Sequence, residues 1–322
     1  MEKKDLKIVF LGTPEFAVES LRRMLDGGCN VVGVVTMPDK PAGRGKQLRA
    51  SAVKEFALER GLKVMQPEKL KDPAFVEELR SLDADLFVVI AFRMLPEVVW
   101  QMPRLGTFNL HASLLPRYRG AAPINWAVIN GDTRTGVTTF FLKHEIDTGD
   151  IIDRKAIDIT DADNAGTIHD RLMALGGDLV MRTIDRILDG SLSTIPQSQL
   201  ADGVEPAPAP KIFKETCHID WQRPAQTIHN LVRGLSPYPA AWSTLTADGS
   251  EHGTMKIFET RVTDEPSASQ PGTIHIAADR RSMTVDTATT RLELLSVQAP
   301  GKRRMATEEF LRGCRLVNMV LG

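Results

Sequence analysis

Asn109 and His111 stand two residues apart in Gly106-Thr-Phe-Asn-Leu-His111, an apolar stretch that reads as a strand over residues 106–110. On a strand, that spacing points both side chains to one face. An amide donor beside an imidazole suits stabilising an oxyanion and moving a proton. Further along, Glu145-Ile146-Asp147-Thr148-Gly149-Asp150 begins a turn just past another apolar run, residues 137–142. A carboxylate delivered there can orient His111 and favour its charged form.

The surrounding elements show what must position these groups. Residues 6–12, 31–36 and 85–91 are apolar runs without alternation, and helical patterns fall between them near 51–60 and 73–81. Such runs separated by helices predict a mostly parallel sheet covered on both faces, in a Rossmann-like α/β domain. Open sheets of this class place ligands at the carboxyl ends of their strands. Ile168, Leu172, Leu175, Leu179, Ile184, Ile187 and Leu188 form a helical stripe over 167–188. Residues 190–210 then carry four prolines and little periodicity, as a linker would. Five short β-rich runs follow, at 242–246, 254–259, 272–277, 282–285 and 291–297, and suggest a small barrel of the oligonucleotide-binding kind. The expected division is a catalytic domain over 1–190, a linker over 191–210 and a small β-barrel domain over 211–322.

Several chemistries are excluded. Gly12-Thr-Pro-Glu follows the first strand but lacks the later glycines of a dinucleotide fingerprint, and Gly43-Arg-Gly-Lys-Gln is not a P-loop. Thr148 stands where a second zinc-binding histidine would follow His144-Glu145, and no other His/Cys group has ligand spacing, so no metal is expected. The three cysteines, Cys29, Cys217 and Cys314, are far apart and read as reduced thiols. No run approaches the roughly 18 to 20 apolar residues of a membrane helix. With no leader-like start, the bacterial cytoplasm is the expected location, and a monomer the expected state. The net charge of −1 argues against a protein that coats nucleic acid, but not against a local basic patch.

Asn109-x-His111-x-Ser113-Leu114-Leu115-Pro116-x-x-Arg119-Gly120, followed by Asp147-Thr-Gly, resembles the folate-dependent formyltransferases. The likeness extends over Phe10-Leu-Gly-Thr-Pro-Glu-Phe-Ala17, Pro38-Asp-Lys-Pro-Ala-Gly-Arg-Gly-Lys46 and Ile219-Asp-Trp221. The resemblance implies that Asn109, His111 and Asp147 form the catalytic group. It implies 10-formyltetrahydrofolate as formyl donor and the α-amino group of initiator methionyl-tRNA as acceptor. No serine or cysteine in the group stands out as a nucleophile, in keeping with direct transfer. It also assigns folate contacts to Ile90, Phe92, Met94, Leu95, Ser113, Leu114, Leu115, Pro116 and Ile146. Phe92-Arg93 departs from the Tyr-Gly common in the tRNA-acting members and is closer to the glycinamide ribonucleotide branch.

Lys40, Arg44, Lys46, Arg49 and Lys54 crowd a short stretch whose single acid is Asp39, with Gly43 and Gly45 between them. The resemblance makes this the loop set against the tRNA acceptor end, with Arg44 central. Arg117 and Arg119 extend the positive rim, although Arg119 equally suits bracing the catalytic turn. Lys302, Arg303 and Arg304, with Arg312 and Arg315, give the last domain a basic face for RNA backbone. Trp221 and Trp242 read as core. Competing readings are a formyltransferase acting on an amino sugar nucleotide, a hydrolase releasing formate from the same donor, and a non-catalytic tRNA-binding module. The basic loop and the barrel weigh against the first two, and the catalytic group weighs against the third.

Overall fold

In the computed structural model, the described residues are 2–42, 47–200 and 207–322. The central sheet has seven strands: β1 (Lys7–Gly12), β2 (Asn30–Val35), β3 (Val64–Met65), β4 (Leu86–Ile90), β5 (Thr107–His111), β6 (Arg134–Phe141) and β7 (Ile151–Asp158). Their order is β7-β6-β5-β4-β1-β2-β3. The pairs β1/β2, β1/β4, β2/β3 and β4/β5 are parallel, and β6 runs antiparallel to β5. β4 is buried along its whole length, as an apolar strand covered on both faces must be.

Four helices follow the early strands: α1 (Glu15–Asp26), α2 (Ala52–Glu59), α3 (Pro73–Ser81) and the one-turn α4 (Glu97–Trp100). Ser51 caps α2 by accepting from Lys54 N, and Asp72 caps α3 by accepting from Ala74 N, with Pro73 in the first turn. Further helices are α5 (Pro123–Ile129) and the 24-residue α6 (Ala165–Leu188), whose Ile168, Leu172, Leu179 and Ile184 are buried as the stripe predicts.

Contacts group the chain into two compact units that do not follow chain order. One comprises Met1–Gly120, Thr135–Ile157 and His169–Pro208, and the other Ala121–Arg134, Asp158–Ile168 and Ala209–Gly322. The two inserted pieces join the second unit through α7 (Ala225–Leu235). Asn125 Nδ2 on α5 donates to Gly234 O at 2.8 Å, and buried Arg233 donates to Thr160 O and Asp163 O at 3.1 and 3.2 Å.

The second unit is a nearly closed antiparallel barrel. Its strands are β8 (Ala241–Ala247), β9 (Ser250–Pro266), β10 (Ile274–Ile276), β11 (Met283–Val285), β12 (Thr290–Gln298) and β13 (Met319–Leu321), in the order β10-β11-β12-β9-β8-β13. A bridge between Thr273 and Val320 brings its two ends together. The sequence predicts only residues 254–259 of β9. Its full 17 residues curve through register shifts at Ile257/Glu259, Glu259/Thr260 and Val262/Pro266, which let one strand bend round a barrel. Trp221 is buried in this core with Nε1 donating to Ser243 Oγ at 2.9 Å, and Trp242 packs partly buried against it. A short helix, α8 (Thr307–Gly313), precedes β13.

Candidate active site

Asn109 and His111 lie on β5 opposite Phe140 and Thr138 of β6, two positions apart and therefore on one face. His111 ends the strand and is 7% exposed. The loop after it turns back so that His111 Nε2 lies 2.8 Å from Tyr118 O. A carbonyl oxygen only accepts, so Nε2 carries a hydrogen and Nδ1 is the nitrogen left for chemistry. Thr138 holds the loop in place: its Oγ1 donates to Ser113 O at 2.6 Å and accepts from Leu115 N at 3.2 Å.

Asp147 reaches this histidine by an indirect route. Because β6 is antiparallel to β5, its last residue, Phe141, pairs with Phe108, three residues before His111. The loop after β6 must therefore return along the strand. It does, and Asp147 Oδ2 stands 3.9 Å from His111 Nδ1 and accepts from Gly120 N at 3.1 Å. Asp147 adopts a left-handed backbone, φ 54°, which a non-glycine residue holds only when its surroundings fix it. Two residues on, a Cβ at Gly149 would lie 1.6 Å from Phe141 O, so only glycine lets the turn close on the strand.

The Oδ1 of Asn109 is buried with no hydrogen-bond partner among the described residues. A buried acceptor left unsatisfied costs free energy, and an N–H of a bound substrate would satisfy it. An unsatisfied amide oxygen and an imidazole thus share one strand face, with a carboxylate 3.9 Å from the imidazole, a set that can bind polar groups and move a proton.

The other predicted residues are placed as follows. Ile90 closes β4 and is fully buried, Leu95 is buried in a core with Phe87, Val89 and Val99, Phe92 packs partly buried against that core, and Met94 is 71% exposed. Ser113 is buried and donates to Arg117 O at 2.7 Å, while Leu115 packs with Phe140 and Ile151. Leu114 and Pro116 are half-buried, and Ile146 is exposed. Arg93 is drawn towards the neighbouring loop, where it donates to the carbonyls of Pro67 and Glu68 and stacks on Phe92. Burial pushes its guanidinium below the usual arginine range. His144 is an exposed loop residue.

Lys40 and Arg49 face each other across a two-stranded ribbon, Lys40–Ala42 with Gln47–Arg49, while Arg44 and Lys46 lie outside the described residues. Lys54, counted in the same basic stretch, donates to Asp39 at 2.6 Å, and this bond with that from Gln66 holds the Asp39 carboxyl below its ordinary range. In the barrel, Arg303 pairs with Glu309, and Arg304 pairs with Glu259 at 2.7 Å while lying over Phe258. Lys302 is exposed. No group of three His, Cys, Asp or Glu side chains is placed to hold a metal among the described residues, and no helix there is long and apolar enough to cross a membrane.

A buried glutamine escapes the sequence reading altogether. Gln197, in the proline-rich segment, donates to the carbonyls of Asp147 and Gly149 and accepts from Arg119. Nothing in its local sequence marks it, because its partners are distant along the chain.

Residues 6–184 match the family described as Formyl transferase, and residues 211–315 match Formyl transferase, C-terminal domain. The chain is 57% identical over 316 residues to a methionyl-tRNA formyltransferase of Bacteroides thetaiotaomicron, covering 98% of each. Among solved structures, it superposes on an N-formyltransferase from Helicobacter canadensis in complex with folinic acid and dTDP-3-aminofucose. The TM-score is 0.66 at 19% identity, over 90% of this chain and 98% of that one. It also superposes on HypX from Aquifex aeolicus in complex with tetrahydrofolic acid, with TM-score 0.62 at 16% identity. That match covers 94% of this chain, which spans about half the length of HypX (46%). The likeness runs through both parts of the sequence and includes the strand and turn that hold His111 and Asp147: the chain belongs to the formyltransferase family and, within it, to the methionyl-tRNA formyltransferases.

Proposed function

We propose that the chain transfers the formyl group of 10-formyltetrahydrofolate to the α-amino group of methionine on initiator methionyl-tRNA. In this reading the amine nitrogen bonds to the formyl carbon and the bond from that carbon to N10 breaks. The proton lost by the amine ends on N10, so no oxidant and no covalent enzyme intermediate enter. Negative charge develops on the formyl oxygen. Asn109 Nδ2 and a protonated His111 Nδ1 are its donors, each contributing roughly 3 kcal/mol if well placed. Asn109 Oδ1, otherwise unpartnered, accepts from the attacking amine. Asp147, 3.9 Å from Nδ1, orients the imidazole and helps pass on the amine proton.

The observation that carries the acceptor is the 57% identity, over nearly the full length, to a methionyl-tRNA formyltransferase. The donor reading is supported by the folate compounds in the two solved relatives. Segments 88–96 and 113–116 with Ile146 are proposed to hold the folate mainly through backbone, since Ser113 and Leu115 turn their side chains inward. For the tRNA, the proposed contacts are Lys40, Arg44, Lys46 and Arg49 at the acceptor end, and Lys302, Arg303 and Arg304 on the barrel. The proposed division is a catalytic domain to residue 190, a linker to 210 and a tRNA-binding domain beyond. A cytoplasmic bacterial enzyme acting as a monomer completes the proposal.

Incubation with 10-formyltetrahydrofolate and charged initiator tRNA, followed by analysis of the released amino acid, tests the reaction. Formylmethionine is expected. Its absence with fully active substrates, or a preference for a nucleotide amino sugar offered in parallel, would sink the reading. Arg44→Ala is expected to raise the KM for tRNA roughly tenfold and leave the KM for the donor unchanged. Equal tRNA kinetics in variant and parent would remove the loop from the interface.

A further inference from the structure

Gln197 is 4% exposed in the 3-10 turn Gln197–Leu200. A primary amide offers two hydrogens and an oxygen with two lone pairs. All four are engaged. Nε2 donates to Asp147 O at 2.8 Å and to Gly149 O at 2.9 Å, and Oε1 accepts from Arg119 Nε at 3.1 Å and Nη2 at 2.6 Å. These partners also fix which way round the amide sits. Carbonyls only accept and a guanidinium only donates, so the reversed amide would set like against like on both sides.

The turn held in this way carries the carboxylate that faces His111. On its other side Gly149 closes on the backbone of Phe141. Arg119, which orients the amide, directly precedes Gly120, and Gly120 N donates to Asp147 Oδ2 at 3.1 Å. The contacts therefore form a ring: Arg119 to Gln197, Gln197 to the Asp147 backbone, and the Asp147 carboxylate back to Gly120. Each member limits the movement of the next. The left-handed backbone of Asp147 is the position in this turn that most needs such support.

We infer that Gln197 is a positioning residue for formyl transfer: its amide, aligned by Arg119, fixes where the Asp147 carboxylate stands relative to His111. The inference rests on the reaction proposed above. Gln197 contacts the turn through backbone carbonyls only, so it acts through Asp147 and not on substrate. Reacting groups displaced by about 1 Å lose rate on the order of 100-fold, and a turn freed at two carbonyls has that latitude.

Gln197→Glu is the informative variant. It keeps the volume and leaves an oxygen for Arg119, but sets the other oxygen against two carbonyls. Steady-state kinetics with initiator methionyl-tRNA and 10-formyltetrahydrofolate should show kcat lowered roughly 10- to 100-fold. The KM values for both substrates should stay within about twofold, because neither substrate loses a contact. Arg119→Gln reaches the same ring without altering Gln197, and should lower kcat in the same direction. The double variant should be little worse than Gln197→Glu alone, since both act through one chain of contacts. A kcat for Gln197→Glu within about twofold of the parent, or a loss confined to the KM for tRNA, overturns the inference. If Gln197→Glu fails to fold, Arg119→Gln decides by the same criterion. The parent protein separates the two failures. If it does not formylate the tRNA, the proposed reaction falls and takes the inference with it. If it does and both variants match its kcat, the inference falls alone.

Discussion

In the first unit His111 Nδ1 stands 3.9 Å from Asp147 Oδ2, whereas in the second His275 Nε2 donates to Asp286 Oδ2 at 2.8 Å. The Asp286 side chain is fully buried, and it also accepts from Ser269 N at 2.8 Å and Arg291 Nε at 3.0 Å. Among the described residues the Asp147 carboxylate accepts from Gly120 N at 3.1 Å, and it retains 11% side-chain exposure. The same two residue types thus serve opposite ends. A carboxylate saturated by three donors fixes a fold and has little left to offer a substrate. The Asp147 carboxylate, held through its backbone and accepting from Gly120 N, is less saturated and suits the proton transfer proposed for it. Between the pairs, the difference lies in how many donors the surroundings supply.

Replacing each aspartate by asparagine tests that contrast most severely. Asp147→Asn is expected to lower kcat roughly 100- to 1,000-fold while the thermal midpoint stays within about 2 °C of the parent. Asp286→Asn is expected to do the reverse, costing about 2–4 kcal/mol in urea unfolding with kcat of the folded protein unchanged. If Asp147→Asn proved as destabilising as a core substitution, or Asp286→Asn abolished turnover in a folded protein, the contrast would break. Acid sharpens it further. Burial opposes ionisation of Asp286, but the hydrogen bonds from His275, Arg291 and Ser269 outweigh it and hold the carboxyl below its ordinary range. The stability it contributes is present above the unfolded value of about 3.9 and lost as pH falls through the lower folded value. Urea midpoints measured from pH 6 downwards should therefore fall less steeply below about pH 4 in Asp286→Asn than in the parent.

The two sites also differ in how legible they were. Asn109 and His111 were readable from local pattern, because a spacing of two on an apolar strand fixes a shared face. Asp147 was readable as a carboxylate in a turn past the next strand, and again in the family motif, but its place beside His111 was not. Its distance from His111 depends on β6 running antiparallel and on a loop that returns along β5, and neither is encoded near Asp147 itself. Gln197 and the ring it closes were invisible, since its partners Arg119 and Asp147 lie 78 and 50 residues away. The parallel sheet and the barrel strands followed from hydropathy. α7 was missed, although Ile228, Val232 and Leu235 mark one buried face, because Pro224, Gly234 and Pro237 interrupt the surrounding sequence. The interleaving of segments 121–134 and 158–168 with the barrel rests on side-chain bonds from α7, such as those of Arg233, that no local pattern announces.

The smallest expected effect falls on the outer member of the structural pair. His275 is 29% exposed, and Asp286 keeps Arg291 and Ser269 N when the imidazole is removed. His275→Asn should therefore cost only about 1 kcal/mol, a shift of roughly 2–4 °C in thermal midpoint, and leave kcat unchanged. His111→Asn at the other pair removes the nitrogen that faces Asp147 and that the proposed reaction uses, so its cost is expected in turnover. Calorimetry and kinetics on the two histidine variants place each pair on both axes. Should His275→Asn destabilise as much as Asp286→Asn, the carboxylate would depend on one partner and not three. Saturation would then no longer distinguish it from the His111–Asp147 pair.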